Sequence, residues 1–404
     1  MLKASSLGNA IFVCLVISIF SGCLVLLSHY NNLLNKRINF RTHLINTNNA
    51  SFTYYVKHLD QLQYNQSTPT DIFEEDLITL VEKKKWGFYD IINCKTIFKQ
   101  DTITKTALLG KTHNSNFTTL YLTDYDKVLK LSGSTKLAGN IKTPKGTTGE
   151  AYINGNIGNT ISVKAKKYPS EDKLPKTQYK MNMSIREYKI LPFSYYNTNT
   201  IINNFDSETI VIDLSRISYL RDIVIKGNII LYSSGTLTIA NTAILNDVVV
   251  MAKNIITERG FSGNLQIIAK NDVTIKENTQ LKYPSSIYVK NDLEPVSVTI
   301  DSSSIVAGGI IIDGDSYNNS KQRELIVKPT SRIYGMVYCY GKTQLQGEVI
   351  GQLYTDRFFL KTQSAEYENI ILNGVVDSDS LPKHFLHPHI FNTNNSSYDV
   401  IKTF

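Results

Sequence analysis

The sequence predicts a mainly β protein: a parallel β-solenoid (β-helix) body preceded by a single N-terminal transmembrane helix and a small α/β region. Three observations predict it. Residues Ala10 to Ser28, AIFVCLVISIFSGCLVLLS, carry no charge, and at about 1.5 Å per helical residue they cross most of a bilayer core of about 30 Å. From Asn114 nearly to Asp377 the chain is made of short β-branched runs separated by Gly, Asn, Ser and Asp. Within those runs a short glycine-centred pattern recurs, while two-residue hairpin signals are scarce.

At 404 residues, 42% hydrophobic and 19% charged, the chain is a folded protein of two or three segments, and global disorder is excluded. Forty-three Lys and Arg against 35 Asp and Glu give a net +8. That charge is spread along the chain, so no nucleic-acid partner is expected. The predicted organisation is an N-terminal flank (1–9), a transmembrane helix (10–28), a helical stalk with a small α/β region (29–113), a first β-segment (114–163), a basic insertion (164–205), a β-solenoid (206–377) and a polar C-terminal tail (378–404).

The apolar run is the membrane contact, over residues 10–28. Only Lys3 precedes it, whereas Lys36, Arg37 and Arg41 follow, and a count of positive charges alone would leave the carboxyl side in the cytoplasm. Large following domains are translocated despite nearby charge, and an early helix with the bulk of the chain behind it has the layout of a signal anchor. The expectation is a single-pass protein with its bulk in the extracytoplasmic envelope. Leu33, Leu34, Ile38 and Leu44 continue the helical spacing past the membrane, which predicts one long helix. In this the first 60 or so residues resemble pilin-like proteins. No acidic residue lies between Met1 and Leu59, so the early pilin glutamate is missing and the resemblance implies an atypical minor pseudopilin. Phe20-Ser21-Gly22-Cys23 also resembles a bacterial lipobox, which makes Cys23 a lipidation candidate, although Leu24 to Leu27 prolong the apolar run where a lipoprotein turns polar. Cys94 and Cys339, the pair outside this run, are read either as one long-range disulfide or as two buried thiols.

Asp71-Ile72-Phe73-Glu74 predicts a helix start, with Asp71 as cap and Glu74 answering it. Trp86 to Ile92 predicts the start of β-structure around a buried indole. The glycine pattern is an aliphatic, any residue, Gly, any residue, then Ile or Val. It stands at Leu137-Ala138-Gly139-Asn140-Ile141, Ile153-Asn154-Gly155-Asn156-Ile157, Ile333-Tyr334-Gly335-Met336-Val337 and Leu345-Gln346-Gly347-Glu348-Val349, with a relaxed copy around Val306 to Ile310. Alternating aliphatics face one way on a strand, and a glycine permits a corner or a close backbone approach. One such unit cannot bury its own face, but stacked copies bury a continuous core.

These repeats resemble bactofilins, polymer-forming β-solenoid proteins, over Asp222 to Asp377 with an outlying portion at Leu131 to Val163; the motifs at Gly335 and Gly347 carry the resemblance best. It implies stacked rungs, without carrying polymerisation over. The whole composition, rich in Lys, Asn, Ile and Tyr, is similar to that of bacterial envelope proteins. In the insertion, Lys164, Lys166, Lys167, Lys173, Lys176 and Lys180 are interleaved with Tyr168, Tyr179 and two prolines, a pattern that suits contact with nucleic acid or anionic lipid but is read as a solvated insertion linking two β-segments. Beyond Leu381 the tail is expected to be loosely ordered.

Chemistry is sparse. His384, His387 and His389 are candidate metal ligands, with Pro388 excluding the regular helix of a two-histidine zinc site. Asp313 and Asp315, in Ile312-Asp313-Gly314-Asp315, form either a turn or a carboxylate pair for general acid–base work or calcium. Gly341-Lys342-Thr343 resembles the end of a phosphate-binding loop, but it reads as strand and no helix follows. No Gly-x-Ser-x-Gly occurs, and all seven histidines lie outside the stretch from Asn114 to Lys383. The expectation is a non-enzymatic membrane-anchored envelope protein, without cofactor, whose solenoid is a spacer, scaffold or assembly surface contacting itself or other envelope proteins. The alternative is a polysaccharide-active or calcium-binding β-helix.

Overall fold

A computed structural model describes residues 3–71, 73, 77–112, 117–153, 160–177, 185, 187–315, 322–388, 390–391 and 397–404. Strand accounts for 51% of the chain and helix for 17%, so the mainly β expectation holds. The chain forms two compact units, Met1–Glu82 with Asn93–Lys105 and Lys83–Ile92 with Thr106–Phe404.

The first unit is built on a single helix, Lys3–Lys57. Its apolar window is not buried anywhere, and it is long and apolar enough to cross a membrane. Further along, Leu44, Thr47, Asn48, Ser51, Phe52, Tyr55 and Val56 are buried, a spacing of three and four residues that makes one stripe of the helix. The helix therefore changes character along its length, from apolar all round to one-sided. Asn48 Nδ2 donates to the Cys94 and Ile103 carbonyls (3.0 and 3.2 Å) and to Thr96 Oγ1 (3.1 Å), tying the stripe to the strands Tyr89–Phe98 and Asp101–Lys111. Lys105 lies over the Phe52 ring. Ser67–Thr70 pairs antiparallel with the strand Ile78–Trp86. Where a helix start was expected, Asp71 follows directly on the end of a strand; Ile72 and Glu74 lie outside the described residues.

The second unit is dominated by parallel pairing in three ladders. One ladder runs through the residues Val211, Ile230, Val249, Gln266, Ser286, Gly309, Met336 and Gln352, each opposite the next. A second passes through Ile225, Leu245, Leu281, Val306, Ile333, Val349 and Val376, and a third through Leu237, Ile255, Val273, Val298, Leu325 and Thr343. Alternate residues of all three meet in one core that includes Ile225, Leu237, Ile267, Val298, Ile333, Val337, Leu345 and Val349.

Between the second and first ladders the chain turns at a column of glycines. Gly308, Gly335 and Gly351 are in register and have φ of 144°, 111° and 143°. A Cβ on each would lie 1.8 to 2.1 Å from the carbonyl oxygen of the strand beneath, so only glycine fits. This refines the sequence motif. Gly139 and Gly335 occupy this corner, but Gly347 belongs to a different one, and the true counterpart in its strand is Gly351. The copy at Asn154 to Ile157 lies outside the described residues.

The order of the ladders is not the order of the chain. Leu120–Leu122 pairs with Leu353–Thr355, Ile370–Leu372 with Lys130–Ser132, and Val375–Asp377 with Lys136–Ala138. The segment expected at 114–163 thus continues the ladders beyond Asp377, and among the described residues Ser162–Pro169 is the last strand of the first and second. The boundary expected at 163/164 falls inside this strand. Its lysines resembled an insertion because a terminal strand turns more of its side chains to water. At the other end the first ladder begins with Lys189–Pro192, so residues 170–188 link the two ends. Tyr121 Oη donates to the Lys173 carbonyl at 2.8 Å and Leu174 is buried, placing the start of the link on the outside of the first ladder. The ladder has eleven pairings from Lys189–Pro192 to Ser162–Pro169, about 50 Å at 4.8 Å each.

The outer side of the first ladder carries Val211, Ile230, Met251, Tyr288, Ile311, Met336 and Tyr338, which form a second core with Trp86, Phe88, Leu108 and Ile390. Trp86 is buried as expected, with the Phe205 ring edge-on at 5.1 Å. The expected loose tail is corrected here. Leu386 and Ile390 are buried, Lys111 and His387 exchange backbone hydrogen bonds of 2.9 Å, and Tyr398–Thr403 pairs antiparallel with Ala107–Lys111. Scattered apolar residues suffice to hold a segment that composition alone reads as polar.

Candidate functional site at the end of the ladders

The residues singled out in the sequence do not converge. His384 is exposed, His387 is buried with its ring 5.2 Å from that of Phe385, and His389 lies outside the described residues. Among the described residues no group of three or more His, Cys, Asp or Glu could hold a metal ion. Cys94 and Cys339 are free, buried thiols, and burial pushes each up to about 12, so both stay protonated at neutral pH. Cys23 is exposed on the helix.

Asp313 ends a strand of the first ladder, and Asp315 follows two residues later where the chain leaves the ladders. Asp313 is buried; its carboxylate accepts from Thr177 Oγ1 at 3.2 Å and from the Gly314 amide at 2.9 Å. Burial raises its pKa above the ordinary carboxylate value. Asp315 is exposed and takes the Lys290 ammonium at 2.8 Å, which lowers its pKa. Beside them Arg323, 1% exposed, donates to Asp292 at 2.5 Å. The two carboxylates therefore differ in environment, and the neighbouring cations hold Asp315 and Asp292 as ion pairs. This is the construction of a braced corner.

A concave site lies instead at the terminal strand. The corner at Gly139 has φ 90°, and a Cβ there would fall 2.2 Å from Thr119 Oγ1 and 2.5 Å from Ser378 Oγ. Those two hydroxyls are 2.7 Å apart, and Thr119 Oγ1 also accepts the Asn140 amide at 3.2 Å. The glycine lets the backbone sit down on this hydroxyl pair, and the step leaves a groove of about 270 Å³ above it. Its walls are Asn140 and Phe117, Ser378 and Asp379, and Lys164 and Lys166 of the terminal strand. Neither lysine ammonium has a hydrogen-bond or ion-pair partner among the described residues, whereas neighbouring Lys167 donates to Thr148 Oγ1 at 2.6 Å. Lys164 and Lys166 were visible in the sequence as part of a basic stretch. Asp379, Ser378 and Asn140 were not, because pairing between residues some 240 positions apart brings them there. Compared with family models, curated proteins and solved structures, the chain matches none.

Proposed function

We propose that this chain is a non-enzymatic, membrane-anchored envelope protein, with a pseudopilin-like N-terminal unit carrying a bactofilin-like β-solenoid that serves as a spacer, scaffold or assembly surface. The observation that carries the reading is the change of character along one helix. Its apolar first part is uncovered, and its second part buries a polar-edged stripe from Leu44 to Val56 in its own unit. A helix of this kind joins a membrane span directly to the first unit, which buries its second part.

Three parallel ladders around one core support the solenoid reading, since stacked rungs are stiff along their axis. Both terminal strands of the first ladder, Ser162–Pro169 and Lys189–Pro192, carry lysine and end in proline. Those residues discourage further strand pairing, which favours a spacer displayed singly over an end-to-end polymer. The braced Asp313 and Asp315 favour a structural corner over a catalytic or calcium-binding pair. The body lies outside the cytoplasm in this proposal. Protease added to intact cells, or to spheroplasts where an outer membrane intervenes, is expected to degrade the body and spare a fragment containing residues 10–28. A body protected together with cytoplasmic markers overturns the topology. Mass spectrometry of the amino terminus is expected to find the apolar helix retained and Cys23 unmodified.

A further inference from the structure

The groove at the end of the ladders goes beyond a spacer role. We propose that it binds an acidic saccharide, a sugar unit carrying a carboxylate beside free hydroxyls. Lys164 and Lys166 flank Ala165, the residue in register with the Gly139 corner, and both line the groove. Neither is neutralised by a described carboxylate. An edge strand needs lysines only as a guard, and a guard can point anywhere into water; these two line a concavity whose other lining residues include Asn140, Ser378 and Asp379.

That polar lining decides the class of ligand. Asp379 is exposed on it, and its carboxylate has no hydrogen-bond or ion-pair partner among the described residues. Asn140 adds an amide. A carboxylate accepts from sugar hydroxyls, but it repels a ligand that is negative along its whole length, such as a nucleic acid or a polyanionic peptide. An anionic group on the lysine side with hydroxyls on the Asp379 side satisfies both walls. At about 270 Å³ the groove is small beside the roughly 300–1,000 Å³ of ligand pockets, and it suits one or two rings of a longer chain.

Titration of the detergent-solubilised full chain with tri-galacturonate, followed calorimetrically, tests this. Saturable binding is expected, at least tenfold tighter than that of neutral maltotriose and of inorganic phosphate. K164Q/K166Q, which alters only exposed side chains, is expected to weaken tri-galacturonate at least tenfold. D379N is expected to weaken it about threefold or more while leaving or improving phosphate binding, a contrast that a change in folding would not produce. No binding at 10 mM, equal binding of phosphate or polyglutamate, or binding indifferent to K164Q/K166Q would each overturn the proposal.

Discussion

The strands Arg332–Leu345 and Ser162–Pro169 belong to the same ladders, the first turning at Gly335 and the second carrying Ala165 in register with Gly139, yet they live in different environments. The first has a parallel neighbour on each side. Ile333, Val337 and Cys339 enter the inner core, and Met336 and Tyr338 are covered by the second. The second strand has one described neighbour, Lys136–Thr143. Val163 and Ala165 pack only partly on the core, and Lys164, Lys166, Lys167 and Tyr168 face water. Burial in stacked structures is thus set by position in the stack as much as by side-chain type. The middle is committed to stability, and the end has side chains to spare for recognition.

The sharpest way to break this comparison is to place the same charge in both strands. Leu345 is 1% exposed in the inner core, so Leu345→Asp is expected to cost about 3–5 kcal/mol in urea unfolding of the detergent-solubilised chain. Val163→Asp, at the half-open end, is expected to cost less than about 2 kcal/mol, because the carboxylate keeps access to water. Equal losses would mean that the end is as closed as the middle. Gln346, beside Leu345 but facing out and accepting from Gln344 Nε2 at 3.0 Å, provides the control; Gln346→Asp is expected to stay under about 1 kcal/mol.

Next in size is the glycine corner. Gly335→Ala must place a Cβ about where the Gly308 oxygen lies, at φ 111°, and is expected to lower stability by about 2–3 kcal/mol. Gly235 has nothing within 4 Å of a built Cβ, so Gly235→Ala is expected to change stability by no more than about 0.5 kcal/mol. A harmless Gly335→Ala in the same urea titration would show that the column is a habit of composition and not a steric requirement.

Much of this was legible because it is local. The uncharged run, the helical spacing through Leu44, the buried Trp86 and the alternation of Ile333, Val337, Leu345 and Val349 all follow from neighbours in sequence. The rest was hidden by irregular spacing and by order. Successive residues of the first ladder, from Val211 to Gln352, are separated by 16 to 27 positions, because the chain between Lys290 and Val296 and between Asp313 and Arg323 makes longer excursions than at other corners. No fixed period survives that variation, which is why the sequence pattern matches Gly347 to Gly335 although Gly351 is the residue in register with it. The groove was illegible for a further reason: Lys164 and Asp379 line it together only because an early segment continues ladders built by a later one.

The smallest expected effect concerns charges in the middle of the ladders, where Asp313 and Asp315 respond oppositely to pH. Burial raises the pKa of Asp313 in the folded chain. Between its ordinary value, near 4, and that raised value the native state holds more protons than the unfolded one, so its contribution falls as pH rises through that window and is level above it. Asp315 is lowered by the hydrogen bond from Lys290; its contribution is present above the ordinary value and fades as pH falls below about 4. Asp313→Asn should therefore flatten the decline in melting temperature above pH 4 and leave the chain equally or slightly more stable at pH 7. Asp315→Asn should soften the loss below pH 4, by well under 1 kcal/mol since that carboxylate is largely exposed. Lys164→Gln with Lys166→Gln, which removes no ion pair among the described residues, should leave the profile from pH 3 to 7 unchanged. Melting curves across that range read all three, and a steeper decline above pH 4 in Asp313→Asn would contradict the assignment. It would mean that Lys290 and Thr177 outweigh burial at Asp313.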